Sequence, residues 1–319
     1  MPHFVPAAPR RSHVSPFQRL GLRLDASLGA SRRRAFRQGW PSRTSEEIAF
    51  FDAPLVQYRY RERAGPSSDA PTIVFTADPP VTLEAYDALL SVFARRFRVV
   101  VVELPAMGFS APSTRYRFGF RETNDDLARF LRAVAGPGAI WAFSCAAGLA
   151  AADLAARAPD LVSRLVFVQT GDVAAFQRWK AARDPKGVLA RPILGQMVMR
   201  RLAPKRMPAW FALSVGREAC VAPLCACAAE SFAHGALWTL ASAYQAYLSP
   251  DVALAPIRQP VLSLWGRADR SHPPENEGSS GSFAPHARHV AFDDLGHFAE
   301  IEDPERVFGE VVRFLDQAA

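Results

Sequence analysis

The 319-residue sequence predicts an α/β fold: a mostly parallel sheet with helices on both faces and an inserted helical cap. Two observations carry this. From about residue 47, short β-rich apolar runs alternate with Ala/Leu/Arg-rich helical stretches, the pattern of strand–helix–strand crossovers. The alternation then stops over residues 172–255, which read as helical and rich in aromatic residues, before strands resume. A 49% hydrophobic content supplies one large core, and no apolar run reaches the ~18 residues of a spanning helix.

Taken in order, EIAFFDA (47–53) and VQYRYRER (56–63) alternate polar and apolar residues and read as an antiparallel hairpin at the sheet's edge. TIVF (72–75), a helix near 82–96 and FRVVVVEL (97–104) read as strand, helix, strand, with both strands buried. A helix over 120–134 leads through the breaker GPG (136–138) into AIWAFS (139–144), and a small-residue helix follows at once. RLVFVQT (164–170), PVLSLWG (260–266) and HVAFDD (289–294) are further strands, and 303–317 is a closing amphipathic helix. The expected organisation is a basic N-terminal segment (1–46), a core built from 47–171 and 256–319, and a cap over 172–255.

Charge is uneven. The formal net charge is +7, but residues 1–43 hold nine Arg against Asp25 alone, a net +8, so the remainder sums to −1. A near-neutral body lacks the basic face that nucleic acid requires, and neither a nucleic-acid nor a membrane partner is expected. The Arg-rich, acid-poor start also suits an organelle transit peptide, against which stand two apolar anchors, Phe17 and Trp40. Four cysteines (145, 220, 225, 227) make no disulfide framework, and no apolar stretch followed by a small-residue cleavage site marks the N-terminus, so a reducing, cytoplasmic location is the expected default. Cys225 and Cys227 diverge by about 200° around a regular helix and cannot share a metal there. With no metal cluster and no phosphate loop, no metal or cofactor is expected.

The segment AFSCAAG (142–148) joins a buried strand to a helix in one step. A nucleophile there stands on a forced turn above the sheet, faced by the helix's backbone N–H groups, and needs small neighbours two residues to either side. Ser144, flanked by Ala142 and Ala146, meets that pattern, although a serine at such a junction is also a common N-cap. Cys145 sits where a helix N-terminus lowers a thiol's pKa and is assigned to the pocket lining. A serine nucleophile needs a base, and the base needs an acid. Asp269 in GRAD follows one strand and His297 in LGHFAEIEDPERV follows the next, giving the order Ser, Asp, His. Asp172, just past an earlier strand, is the rival acid.

With ELPAMGFSAP (103–112), AFSCAAG, PVLSLWGRAD (260–269) and GHFAEIEDPERV (296–307) in this order, the chain resembles the α/β-hydrolase fold family, in its cap-bearing serine hydrolase branch. The resemblance implies Ser144 as nucleophile, Asp269 as acid and His297 as base, with the backbone N–H groups of Cys145 and Asp78 as the oxyanion hole. The loop FTADPP (75–80) departs from the usual His-Gly pair there, and a carboxylate at Asp78 opposes a developing oxyanion. The substrate is expected to be an apolar, medium-sized ester or thioester held by Ala77, Trp210, Phe211, Trp238 and Tyr244, with His234 and Arg217 as further cap candidates. Two alternatives keep the fold: a non-hydrolytic cyclase, lyase or acyltransferase using the same triad, or a lapsed hydrolase that binds a small molecule.

Overall fold

A computed structural model describes residues 15–39, 48–247 and 252–317. Nine strands form one sheet: β1 (Ile48–Asp52), β2 (Val56–Arg63), β3 (Thr72–Ala77), β4 (Arg98–Glu103), β5 (Ala111–Pro112), β6 (Ala139–Ser144), β7 (Val162–Val168), β8 (Val261–Gly266) and β9 (Arg288–Phe292). Their order is β1-β2-β4-β3-β6-β7-β8-β9, with β5 paired to β2. The pairs from β4 through β9 are parallel, and the β1–β2 hairpin is antiparallel at the edge, with Phe50 opposite Arg59. Ten helices are described: α1 (Pro16–Gly39), α2 (Asp87–Phe93), α3 (Phe120–Phe130), α4 (Ala146–Arg157), α5 (Val173–Arg183), α6 (Leu194–Ser214), α7 (Glu218–Ala233), α8 (Leu240–Ala246), α9 (Ala299–Glu302) and α10 (Pro304–Gln317).

The strands are apolar on both faces because both faces are covered. In β3, Val74 enters one core layer while Ile73 and Phe75 enter the other; in β6, Trp141 and Phe143 face the first layer, Ile140 and Ala142 the second. That two-residue alternation sorts α3 and α4 to one side and α2 and α10 to the other. Helices α5–α8 fall between β7 and β8, and α6 packs on α7 and α8.

Two expectations change. The helix over 82–96 is shorter: a single 3₁₀ turn at Leu83–Ala85 and then α2, which ends at Phe93. The N-terminal segment contains a 24-residue helix, α1, whose buried side is Leu22, Asp25 and Ala26. Phe17 is no anchor, being 71% exposed. Trp40 and the rest of the basic segment (1–14, 40–46) lie outside the described residues.

Candidate active site

Strand β6 ends and α4 begins around a single residue, and the sharp turn falls on Cys145, with φ 49° and ψ −122°. An L-residue is strained in that conformation and is held there by its surroundings. Ser144 is instead the last residue of β6. Strand alternation sends its side chain to the face of Ile140 and Ala142, and there its hydroxyl donates to Glu300 Oε1 at 2.9 Å. The geometry departs from the expectation: Ser144 lies buried against a carboxylate, and the elbow turn falls on Cys145. Two residues to either side of Cys145 stand Phe143 and Ala147, so only the helix side is small. A Cβ on Gly148 would come within 2.2 Å of Thr170 Oγ1, so it is at Gly148 that α4 presses on the chain leaving β7.

Asp269 and His297 do meet, His297 Nδ1 donating to Asp269 Oδ2 at 2.8 Å. The other ring nitrogen, Nε2, donates to Asp78 Oδ2 at 2.7 Å and not to Ser144. Asp269 also accepts from Gln169 Nε2 (3.0 Å), the Ser271 N–H (2.7 Å) and a second imidazole, His272 Nδ1 (2.9 Å). The His272 ring lies between the Trp179 indole (5.7 Å) and the His297 ring (5.0 Å), close to parallel with both. His272 was passed over in the sequence; the signal was its place three residues after Asp269, which lets one carboxylate reach both rings.

Charge follows from this geometry. Burial would raise Asp269, but the charge of His297 and hydrogen bonds from both imidazoles hold it well below the usual carboxylate range. Burial would lower His297, yet the charge and hydrogen bond of Asp269, with Asp78, lift it well above its ordinary value. Burial and the Asp78 carboxylate push the Cys145 thiol up, but hydrogen bonds from His272 and His297 outweigh both and leave it lowered. A lowered thiol, two imidazoles on one carboxylate and a helix N-terminus thus converge at the elbow.

Neither expected oxyanion donor is free. The Cys145 N–H donates to Val168 O at 2.8 Å, extending the β6–β7 ladder, and the Asp78 N–H points to Tyr86 Oη at 3.3 Å. The next residue, Ala146, opens α4, and its N–H has no acceptor within that helix. The pocket residues also shift. A small cavity beside Cys145 and His272 is lined by Leu149, Gln169, Ala175 and Phe176. Of the expected lining, only Trp210 borders the site, edge-on to His297 at 5.5 Å. Ala77 and Phe211 are core residues; Trp238 donates to Phe232 O, and Tyr244 donates to Lys180 O. The cavity forms instead where α5 passes the end of β7, a contact that strand and helix patterns do not encode.

The remaining candidates have structural partners. Asp172 caps α5 by accepting from the Ala175 N–H at 2.6 Å. His234 Nδ1 lies 2.8 Å from Glu230 O, and Arg217 pairs with Asp303. Cys220, Cys225 and Cys227 are free thiols, the last in contact with Thr82 Oγ1 at 3.7 Å. Two overlapping sets, Asp78/Cys145/His297 and Asp269/His272/His297, bring donor atoms within 4.8 Å of one another, close enough for a metal ion. In the second set, both imidazole Nδ1 atoms are already spent on Asp269.

Residues 80–190 match the sequence model of the family described as alpha/beta hydrolase fold. A search of curated proteins gives no match. Among solved structures the chain is similar to a probable hydrolytic enzyme from Pseudomonas aeruginosa, with 18% identity, a TM-score of 0.69 and coverage of 87% of this chain and 96% of that one. It is similar to the Cif epoxide hydrolase from Acinetobacter nosocomialis (15%, 0.70, 91% and 96%) and to a thermophilic esterase from Thermogutta terrifontis (17%, 0.65, 85% and 98%). The chain has the α/β-hydrolase fold. At such identities the likeness carries the architecture and not the reaction. Among the described residues no helix is long and apolar enough to cross a membrane.

Proposed function

We propose that the protein is an acyl-transfer hydrolase whose nucleophile is Cys145, acting on an apolar, medium-sized ester or thioester. The observation that carries this is the strained elbow at Cys145, set between two imidazoles and the N-terminus of α4. The His272 ring, its Nδ1 fixed on Asp269, takes the thiol proton, and the thiolate adds to the carbonyl carbon while the C=O electron pair moves onto oxygen. The N–H groups opening α4, Ala146 first, face the charge that develops there. Collapse expels the alcohol or thiol, which takes the proton back from the imidazole. Water, giving its proton to the same imidazole, then adds to the acyl–cysteine, and collapse releases the acid and restores the thiolate. Leu149, Ala175 and Phe176 give the cavity beside Cys145 an apolar wall, and α5–α8 would serve as the cap.

Iodoacetamide labelling read by peptide mass, run beside a panel of chromogenic esters and thioesters, tests this. The expected result is label on Cys145, loss of turnover in Cys145→Ala and retention in Ser144→Ala. Activity that survives in Cys145→Ala while a fluorophosphonate marks Ser144 would overturn it. A second reading, a transferase, lyase or cyclase with the same residues, draws support from Asp78, whose carboxylate occupies the oxyanion loop and engages His297. Turnover in isotopically labelled water separates the two, because only hydrolysis puts the label in the acid.

A further inference from the structure

Among the described residues, every large apolar side chain that stands exposed, Phe50 apart, belongs to α1 or α6. On α1 these are Phe17, Leu20, Leu24 and Leu28. At 100° per residue they fall within about 80° of one another, on the side opposite Leu22 and Ala26, which the fold buries. So α1 has two apolar faces, and the protein covers one. On α6, Leu194 and Met197 (61% exposed) extend the uncovered surface.

The two helices are neighbours in parallel register. Gly21 lies against Ile193 and Gln196, and one turn on, Asp25 pairs with Arg200. Together they hold ten Lys and Arg (19, 23, 32, 33, 34, 37, 200, 201, 205, 206) and a single acid, Asp25. That is +9 of a total of +7, so the rest of the chain sums to −2. Arg23, Arg201 and Lys205 are exposed beside the apolar residues. An apolar ridge set in concentrated positive charge is the composition of a helix that lies in a lipid interface.

We propose that the α1–α6 face docks on an anionic lipid bilayer, the apolar ridge entering the boundary between headgroups and acyl chains while Arg and Lys meet lipid phosphates. Nucleic acid would meet the same charge but would set its phosphates against Phe17, Leu20 and Leu24. A second copy pairing through this face would oppose like charges, Arg23, Arg201 and Lys205 on each.

Flotation of the full chain with vesicles tests the proposal, using phosphatidylcholine alone and phosphatidylcholine mixed with phosphatidylglycerol. The protein is expected to bind the mixed vesicles at least about tenfold more tightly and to lose binding with rising salt. The double variant Phe17→Glu, Leu24→Glu should lose about tenfold or more, with an unchanged circular dichroism spectrum and unchanged thiol labelling. Absence of flotation with mixed vesicles would overturn the proposal, as would flotation indifferent to the double variant. So would a dimer in light scattering that the variant converts to monomer without any lipid binding, or DNA binding in place of lipid binding.

Discussion

Asp269 and Glu300 are both buried, one holding the imidazoles beside Cys145 and the other the Ser144 hydroxyl, yet the fold shifts them in opposite directions. Asp269 accepts from a backbone N–H, a glutamine and two imidazoles, and stays ionised. Glu300 accepts from the Ser144 hydroxyl and its own backbone N–H, its Oε2 has no hydrogen-bond partner, and burial pushes it up to about 7. Burial pushes both carboxylates up, and the charge of His297 with the imidazole hydrogen bonds overcomes it at Asp269 alone. Negative charge is therefore fixed on the side that polarises the imidazoles beside Cys145, and is weak on the side that Ser144 faces. Of two adjacent candidate nucleophiles, only the thiol has a charged relay behind it.

The strongest way to break that comparison is to remove each nucleophile. Cys145→Ala is expected to reduce turnover by roughly 10³-fold or more, and Ser144→Ala by less than about tenfold, in initial-rate assays on the best ester. Next in size, Asp269→Asn should lower kcat by roughly 10²–10⁴-fold by unseating both imidazoles, whereas Glu300→Gln should leave kcat within about threefold. Equal losses from the two carboxylates would end the distinction.

A finer test concerns His272. Its hydrogen bond helps lower the Cys145 thiol, so His272→Gln should move the pH profile of iodoacetamide labelling upward and slow labelling at pH 7 by roughly tenfold. An unmoved profile would leave His297 as the sole polarising ring. The smallest effect is on stability. Because Glu300 is raised from 4.5 to about 7, its contribution is intact below 4.5 and is lost as pH rises through 7. Glu300→Gln removes that loss, so Tm at pH 8 should rise by roughly 2–5 °C with little change at pH 4. A shift of the same size at both pH values would show that packing, not titration, is responsible.

How much of this the sequence reveals depends on how many residues a decision rests upon. Strands β3, β4 and β6 are legible because each carries several apolar residues on both faces, as in RVVVVE. The meeting of Asp269 with His297 is legible because successive strands deliver both loops to one rim. The elbow turns on a one-residue shift. In AFSCAAG the small-neighbour rule points to Ser144, between Ala142 and Ala146, because Phe143 stands two residues before Cys145, and one step along a strand exchanges the faces. The α1 helix has no acidic residue in its first turn, and its apolar pattern is split between two faces, which hides it among arginines.

The parallel contact between Trp179 and His272 gives the protein a built-in optical gauge. A protonated imidazole lying flat on an indole quenches its emission more than a neutral one does. The difference in fluorescence between the wild type and Trp179→Phe, followed from acid to alkaline solution, would report when the ring beside the thiol loses its proton, without substrate and without a label.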